Sequence, residues 1–166
     1  MTAAAEFNMY ADPHAAHIVL TSGIPIKMFG LQATHQIVTS QEFLEQLSSM
    51  KNQVGPQVSM MLSKGVKPYV EEFGLNGRPI HDACIIAYLL QPHLFHGVPA
   101  SVSVVHNSGG EETIGATIIN TYPKYTTTTT NQSSTPLIWV CQTISVQPIL
   151  QLILNLLQTY RSPPLV

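Results

Sequence analysis

The stretch AEFNMYADPHAAHIV, residues 5–19, carries the clearest signal for the fold of this chain. Within it Asp12 is followed by Pro13, a pair that is typical of a helix start, with the carboxylate as N-cap and proline at the first helical position. Gly23 is a natural stop for that helix. We therefore predict a helix over residues 13–22.

Further along the chain, helical and strand patterns alternate. Thr39 and Glu42 have the spacing of a capping box, which predicts a helix over about 40–52. A second helical pattern covers about 58–73, where Pro68 should kink or divide it. The other predicted elements are a buried strand at 25–31, a helix from Asp82 to about Leu90, strands at 100–105 and 113–119 joined by a Gly109-Gly110 turn, an exposed loop at 123–135, a strand at 136–144, and a long last helix from about Pro148 to Tyr160. This alternation indicates an α/β layer architecture, which we assign to a single domain over 1–166.

Composition argues against several classes of function. The seven Lys and Arg residues are scattered and the net charge is -2. The sequence therefore shows no cluster of positive charge that could bind a phosphate backbone, and we expect no nucleic acid partner. Residues 136–157 are too polar to span a membrane, and no signal peptide is visible, so we predict a cytoplasmic protein. Cys84 and Cys141 lie in apolar segments, as buried reduced thiols do. The charged fraction of only 10% suggests a surface that meets a partner.

His81 and Asp82 lie at the predicted junction between a loop and a helix. There a carboxylate can bind a cation or sugar hydroxyls, beside an imidazole that shuttles protons near neutral pH. The plainer explanation is that Asp82 only caps the helix. Both explanations stay open on the residues alone.

Glu6 and Asn8 alternate as on a strand, so both should point to the same face just before the Asp12 cap. A carboxylate and an amide at the end of a strand suit a polyol site in an open α/β sheet. Two solvated residues at a sheet edge would give the same pattern. The other histidines and Cys84 show no metal-ligand spacing, and neither a phosphate-binding loop nor a serine nucleophile motif occurs in the chain.

Three motifs together resemble one family. The stretch AEFNMYADPHAAHIV is similar to the AEFN-x-x-x-DPEAAHIV segment of nucleoside hydrolases, GLQATHQ at 30–36 resembles their GLDxTHQ, and PIHDACIIAYLL at 79–90 resembles their HDxCAVAYLL helix. The motifs occur in the family's order and at similar separations. The resemblance implies the C-terminal portion of an open, mostly parallel sheet flanked by helices, with a β-hairpin and a long C-terminal helix.

The resemblance also implies roles for individual residues. Glu6 would hydrogen-bond the ribose 5'-hydroxyl, Asn8 would bind a ring hydroxyl, and His81 would protonate the departing base. Asp82 would be a ligand of Ca²⁺ that also touches the ribose. The reaction implied is hydrolysis of the N-glycosidic bond of a ribonucleoside, in nucleoside catabolism, with calcium orienting and activating the attacking water.

The calcium site is where this chain departs from the family pattern. The family supplies most of its calcium carboxylates from an N-terminal D-x-D-x-x-x-DD motif, and the aspartates of this chain are Asp12 and Asp82 alone. Calcium takes about six to eight oxygen ligands. We therefore expect a nucleoside hydrolase part that lacks the metal-binding half and is inactive alone. The alternative is a non-catalytic fragment that interacts with an intact hydrolase subunit, and a homo-oligomer is a further expectation.

Overall fold

The structure is a computed structural model that describes residues 4–64, 71, 73–107, 110–122 and 136–161. The chain divides into two compact units. The first unit comprises residues 1–28 and 97–141, and the second comprises residues 29–96 and 142–166. The prediction of one domain over 1–166 stays a prediction.

The predicted α/β class is confirmed, including the hairpin and the long C-terminal helix. The described helices are α1 (Phe7–Ala11), α2 (Pro13–Thr21), α3 (Leu31–Thr34), α4 (Gln41–Ser48), α5 (Val54–Ser63), α6 (Ala83–Leu90) and α7 (Val146–Gln158), with a 3₁₀ turn at Pro92–Leu94. The described strands are β1 (Lys27–Met28), β2 (Val38–Thr39), β3 (Arg78–Pro79), β4 (Phe95–Val104), β5 (Thr117–Asn120) and β6 (Ile138–Ile144).

The first unit is organised around a sheet with the strand order β1-β6-β4-β5. β1 pairs with β6 in parallel, and β4 pairs with β5 antiparallel with Ser101 opposite Asn120. Alternate residues of β4 face the core, as the period of a strand requires. The buried cluster contains Leu20, Ala100, Val102, Val104, Ile138 and Val140. The apolar side of helix α2 and the centre of the sheet therefore share one core.

Helix α2 begins as the Asp-Pro pair predicts. The Asp12 carboxylate accepts a hydrogen bond from the Ala15 backbone N–H at 2.9 Å, and Pro13 occupies the first turn. Gly23 has φ +79°, a left-handed conformation that glycine adopts without the penalty of a Cβ. Both ends of the helix are therefore set by local sequence.

The second unit packs its helices around a mainly aliphatic interior. Helices α4, α5 and α7 contact one another, and α6 contacts α7. Leu47 on α4 and Ile149 on α7 are fully buried. Two side chains tie the helices to each other, since Ser59 Oγ donates to Leu44 O at 2.8 Å and Asn52 Nδ2 donates to Leu157 O at 2.8 Å.

A short antiparallel pair, β2 with β3, joins two distant segments of this second unit. Val38 lies opposite Pro79, and Thr39 lies opposite Arg78. Gly77 has φ +148°, and a Cβ there would collide with the Thr39 carbonyl oxygen. The close approach of the two segments therefore requires glycine at that position.

Two predictions about local structure are wrong in detail. The helix over 40–52 is capped by Ser40, whose hydroxyl accepts from the Phe43 N–H at 3.1 Å, and not by Thr39. Thr39 is buried in β2, where its hydroxyl donates to Arg78 O at 3.1 Å. The strand over 25–31 is limited to β1, because Leu31 already begins helix α3.

Several of the other predicted elements are found with shifted bounds where the structure describes them. The helix expected over 58–73 begins earlier, at Val54, and the kink at Pro68 lies outside the described residues. The strands predicted at 100–105 and 113–119 do pair as a hairpin, but the second strand begins only at Thr117, because residues 111–115 form a turn. Gly109 of the predicted turn and the predicted loop 123–135 lie outside the described residues. β6 and α7 correspond to the predicted last strand and last helix. Cys84 and Cys141 are buried and form no disulfide with each other.

None of the helices in the described ranges combines the length and the apolar character that crossing a membrane demands.

The core of the first unit gives a stability prediction. Ile138 is 1% exposed in the middle of the sheet, whereas Ile118 on β5 is 55% exposed. Ile138→Ala should lower the free energy of unfolding by about 2–5 kcal/mol, because it leaves a cavity in the core. The matched control Ile118→Ala should change it by no more than about 0.5 kcal/mol. Urea denaturation measures both, and equal losses would contradict the assignment of the core.

Candidate active site

Glu6 and Asn8 lie in the first unit, and the prediction that they alternate on a strand is wrong. Helix α1 begins at Phe7, and Glu6 is its N-cap. The Glu6 carboxylate accepts from the backbone N–H groups of Asn8 at 2.9 Å and Met9 at 3.4 Å. A helix forms because this side chain satisfies N–H groups that the first turn leaves without partners.

The two side chains are nevertheless brought together. Asn8 Nδ2 donates to Glu6 Oε1 at 3.1 Å, and Asn8 is exposed at the start of helix α1. A carboxylate held beside an amide presents both acceptors and donors to a hydroxyl-rich ligand. The predicted pairing of these residue types therefore occurs, through helix capping and not through a strand.

Three histidines of the first unit also come together, which their sequence positions did not indicate. The ring of His17 on α2 stacks on that of His106 at a centroid distance of 3.9 Å. His14 meets the same ring edge-on at 5.4 Å. Stacked rings place their nitrogens side by side and do not converge on one point, so this cluster is a packing contact.

His81 and Asp82 lie in the second unit, at the loop before helix α6, as predicted. His81 is half-buried and Asp82 is exposed. Asp82 occupies the N-cap position, but its side chain makes no capping hydrogen bond. The plainer explanation for Asp82, a carboxylate that serves the helix, is therefore not supported by the geometry.

His81 is held by a residue to which the sequence analysis assigned no role. Its Nδ1 lies 2.9 Å from the hydroxyl oxygen of Thr34, which is 3% exposed at the end of helix α3. Thr34 belongs to the GLQATHQ motif, so the motif itself was the available signal. A pairing across 47 residues of sequence cannot be read from local periodicity.

His35 is the second neighbour of His81. The two ring centroids lie 5.6 Å apart, and Phe73 meets the His35 ring edge-on at 5.4 Å. Burial lowers the pKa of His35 below its ordinary value, and the nearby His81 lowers it further. His35 therefore favours its neutral form beside His81.

The described residues do not bring together the oxygen ligands that calcium needs. Among them, no group of three or more His, Cys, Asp or Glu side chains is placed to hold a metal ion. Asp82 alone supplies too few oxygens for Ca²⁺, which takes about six to eight. The residues that the structure describes therefore do not make a calcium site by themselves.

Comparison with known proteins places these groups in context. The chain is 41% identical over 123 residues to the pyrimidine-specific ribonucleoside hydrolase RihA of Photobacterium profundum. It is 38% identical over 120 residues to an uncharacterized protein of Schizosaccharomyces pombe. These matches cover 73% and 72% of this chain but only 39% and 38% of the relatives. The chain thus spans well under half the length of these relatives.

Solved structures agree with the sequence comparison. A plant nucleoside hydrolase superposes with a TM-score of 0.82 at 25% identity, covering 95% of this chain and 48% of that one. A purine-preferring ribonucleoside hydrolase from Gardnerella vaginalis superposes with a TM-score of 0.73 at 25% identity, covering 94% and 48%. The family model described as inosine-uridine preferring nucleoside hydrolase matches residues 1–151. The chain therefore belongs to the inosine-uridine preferring nucleoside hydrolase family.

Proposed function

We propose that the protein acts in hydrolysis of the N-glycosidic bond of ribonucleosides, releasing ribose and the free base, with this chain supplying part of the site. The observation that carries the proposal is the exposed Asp82 carboxylate without a capping role, next to an imidazole held by Thr34. Family membership supports the reaction class.

His81 is the proposed general acid. A base leaves the ribose more readily when a proton is delivered to it as the bond breaks, because it then departs as a neutral molecule. An imidazole exchanges its proton near neutral pH. His35 favours its neutral form, so few of its rings carry a proton to donate. We assign the role to His81, which lies next to Asp82.

Glu6, Asn8 and Asp82 are the proposed ribose-binding residues. Glu6 and Asn8 offer a carboxylate and an amide in contact with each other, which suits vicinal hydroxyl groups. Asp82 offers a second carboxylate beside His81. In the second unit, binding of the sugar by Asp82 would hold the scissile bond close to His81 for proton transfer.

Ca²⁺ is proposed as the cofactor of the whole protein, with Asp82 as one of its ligands. Calcium bound to a nucleoside hydrolase would orient the ribose diol and lower the pKa of an attacking water. The other ligands must come from outside the described residues. We further propose a cytoplasmic location and association into a homo-oligomer. The preferred base, purine or pyrimidine, differs among the relatives and is left open.

The catalytic role of His81 can be tested in a chimera. Residues of this chain would replace the segment that they match in the Photobacterium profundum relative, which supplies the rest of the site. The chimera should hydrolyse uridine or inosine, and His81→Ala should lower kcat by about 10²–10⁴-fold, because the leaving base loses its proton donor. Base release followed by chromatography measures this.

The matched control is His93→Ala, which removes an exposed imidazole from the 3₁₀ turn and should leave kcat unchanged. A folded chimera without activity would contradict the proposed function. If His81→Ala and His93→Ala have equal kcat values, His81 is not the general acid.

The 166-residue chain without any other polypeptide should neither bind Ca²⁺ tightly nor release base from inosine or uridine. The reason is that Asp82 has no further carboxylates grouped with it among the described residues. Isothermal titration with CaCl₂ and a base-release assay, each with and without a chelator, measure these outcomes. Hydrolysis that disappears with the chelator would show that the chain builds a calcium site on its own.

The lowered pKa of His35 predicts how stability depends on pH. The ordinary pKa is 6.5, and the folded state lies below it. The unfolded chain therefore binds the proton more readily, so stability is fully present above about pH 6.5 and falls as the pH drops through the lowered value. His35→Gln should flatten this slope in urea denaturation, whereas the exposed control His93→Gln should leave it unchanged. Identical slopes for both variants would refute the assignment to His35.

A further inference from the structure

The contact between Thr34 and His81 has the features of a positioning interaction. The Thr34 hydroxyl oxygen lies 2.9 Å from His81 Nδ1, and Thr34 is 3% exposed. At this distance the hydroxyl forms a hydrogen bond with Nδ1. It therefore determines which ring nitrogen faces inwards.

Thr34 itself is firmly held. Its backbone N–H donates to Gly30 O at 3.1 Å, and its carbonyl accepts from the Ile37 N–H at 3.2 Å. Threonine is branched at Cβ, which restricts its χ1 angle. The hydroxyl therefore has a defined position with little conformational freedom to lose.

The segment that carries His81 is attached to the same framework. The Ile80 N–H donates to Ile37 O at 3.0 Å, immediately before His81. The pairing of β2 with β3 continues this connection through Val38 and Pro79. Thr34 lies at the end of α3 shortly before β2, and His81 follows shortly after β3, so the pairing of the two strands brings the hydroxyl and the imidazole together.

We propose that Thr34 is the positioning residue of His81, with its hydroxyl engaging Nδ1 so that Nε2 is the nitrogen that carries and presents the exchangeable proton. A hydroxyl both donates and accepts. It donates to Nδ1 of the resting neutral imidazole, whose proton is on Nε2, and accepts from Nδ1–H of the protonated one. When the protonated ring gives up its Nε2 proton it is left with Nδ1–H, from which the hydroxyl still accepts until exchange with water restores the Nε2–H form. The ring therefore keeps the same orientation before and after it gives up a proton. The positioning of the ring is independent of the proposed function, and only its role in catalysis rests on that function.

The test is the tautomer of His81, read from ¹⁵N–¹H correlation spectra of the full chain with ¹⁵N-labelled histidine. The spectra are recorded at about pH 8.5, roughly two units above the ordinary histidine pKa, and the Nδ1 and Nε2 shifts themselves show whether the ring is neutral. The wild-type chain and Thr34→Ser should show His81 protonated at Nε2 alone. Thr34→Val, which removes the hydroxyl and nearly preserves the shape, should show both tautomers. A wild-type spectrum with the proton on Nδ1, or with both tautomers, overturns the proposal without any variant.

The matched control is Thr39→Val. Thr39 is buried to a similar degree, and its hydroxyl bonds to Arg78 and not to an imidazole. This variant should leave the His81 tautomer unchanged, so an equal change in both valine variants would mean a general loss of packing and would overturn the proposal. An unchanged tautomer in Thr34→Val would overturn it as well.

An activity measurement separates this proposal from the proposed function. In the chimera with the Photobacterium profundum relative, Thr34→Val should lower kcat by about tenfold with little change in KM, and Thr34→Ser should restore it. If a folded chimera is inactive while the tautomer pattern is as expected, the proposed function fails and the positioning role stands. If kcat is unaffected in an active chimera, the positioning role fails.

Discussion

Backbone pairing between residues 37–39 and 78–80 is the constraint on which the candidate site of the second unit depends. The Ile80 N–H donates to Ile37 O at 3.0 Å, and Thr39 lies opposite Arg78. Gly77 permits the approach, because any side chain there would meet the Thr39 carbonyl. Without this pairing nothing would hold the hydroxyl of Thr34 against the ring of His81. The GLQATHQ and PIHDAC segments would then not be in contact.

The two aspartates of the chain occupy the same kind of position and do different things. Asp12 and Asp82 both stand at the N-terminal end of a helix, but only the Asp12 carboxylate accepts a hydrogen bond there. Asp12 thus contributes to helix stability in the way that capping residues do. Asp82 makes no such bond and lies exposed beside the half-buried His81. This contrast is the reason that we assign Asp82, and not Asp12, to the proposed site.

Local signals in the sequence predicted most of the elements. The Asp12-Pro13 pair, the alternation along β4 and the dense apolar pattern of α7 each specify one element by a short-range mechanism, and all three are found. The errors arose where two local patterns competed. The spacing of Glu6 and Asn8 also fits a helix start, and capping by Glu6 decided for helix. Ser40 and Thr39 can both cap, and the pairing of Thr39 with Arg78 removed it from that role.

What the sequence determined by itself is the family and the α/β class, since these are carried by motifs and short-range periodicity. The chemical roles that the motifs imply for individual residues are proposals. Only the tertiary structure decided that Thr34 contacts His81, that His35 lies beside His81 with a lowered pKa, and that the Asp82 side chain makes no capping hydrogen bond. The physical reason is distance along the chain. A hydrogen bond across 47 residues depends on how strands pair and helices pack, and no window of local sequence contains both partners.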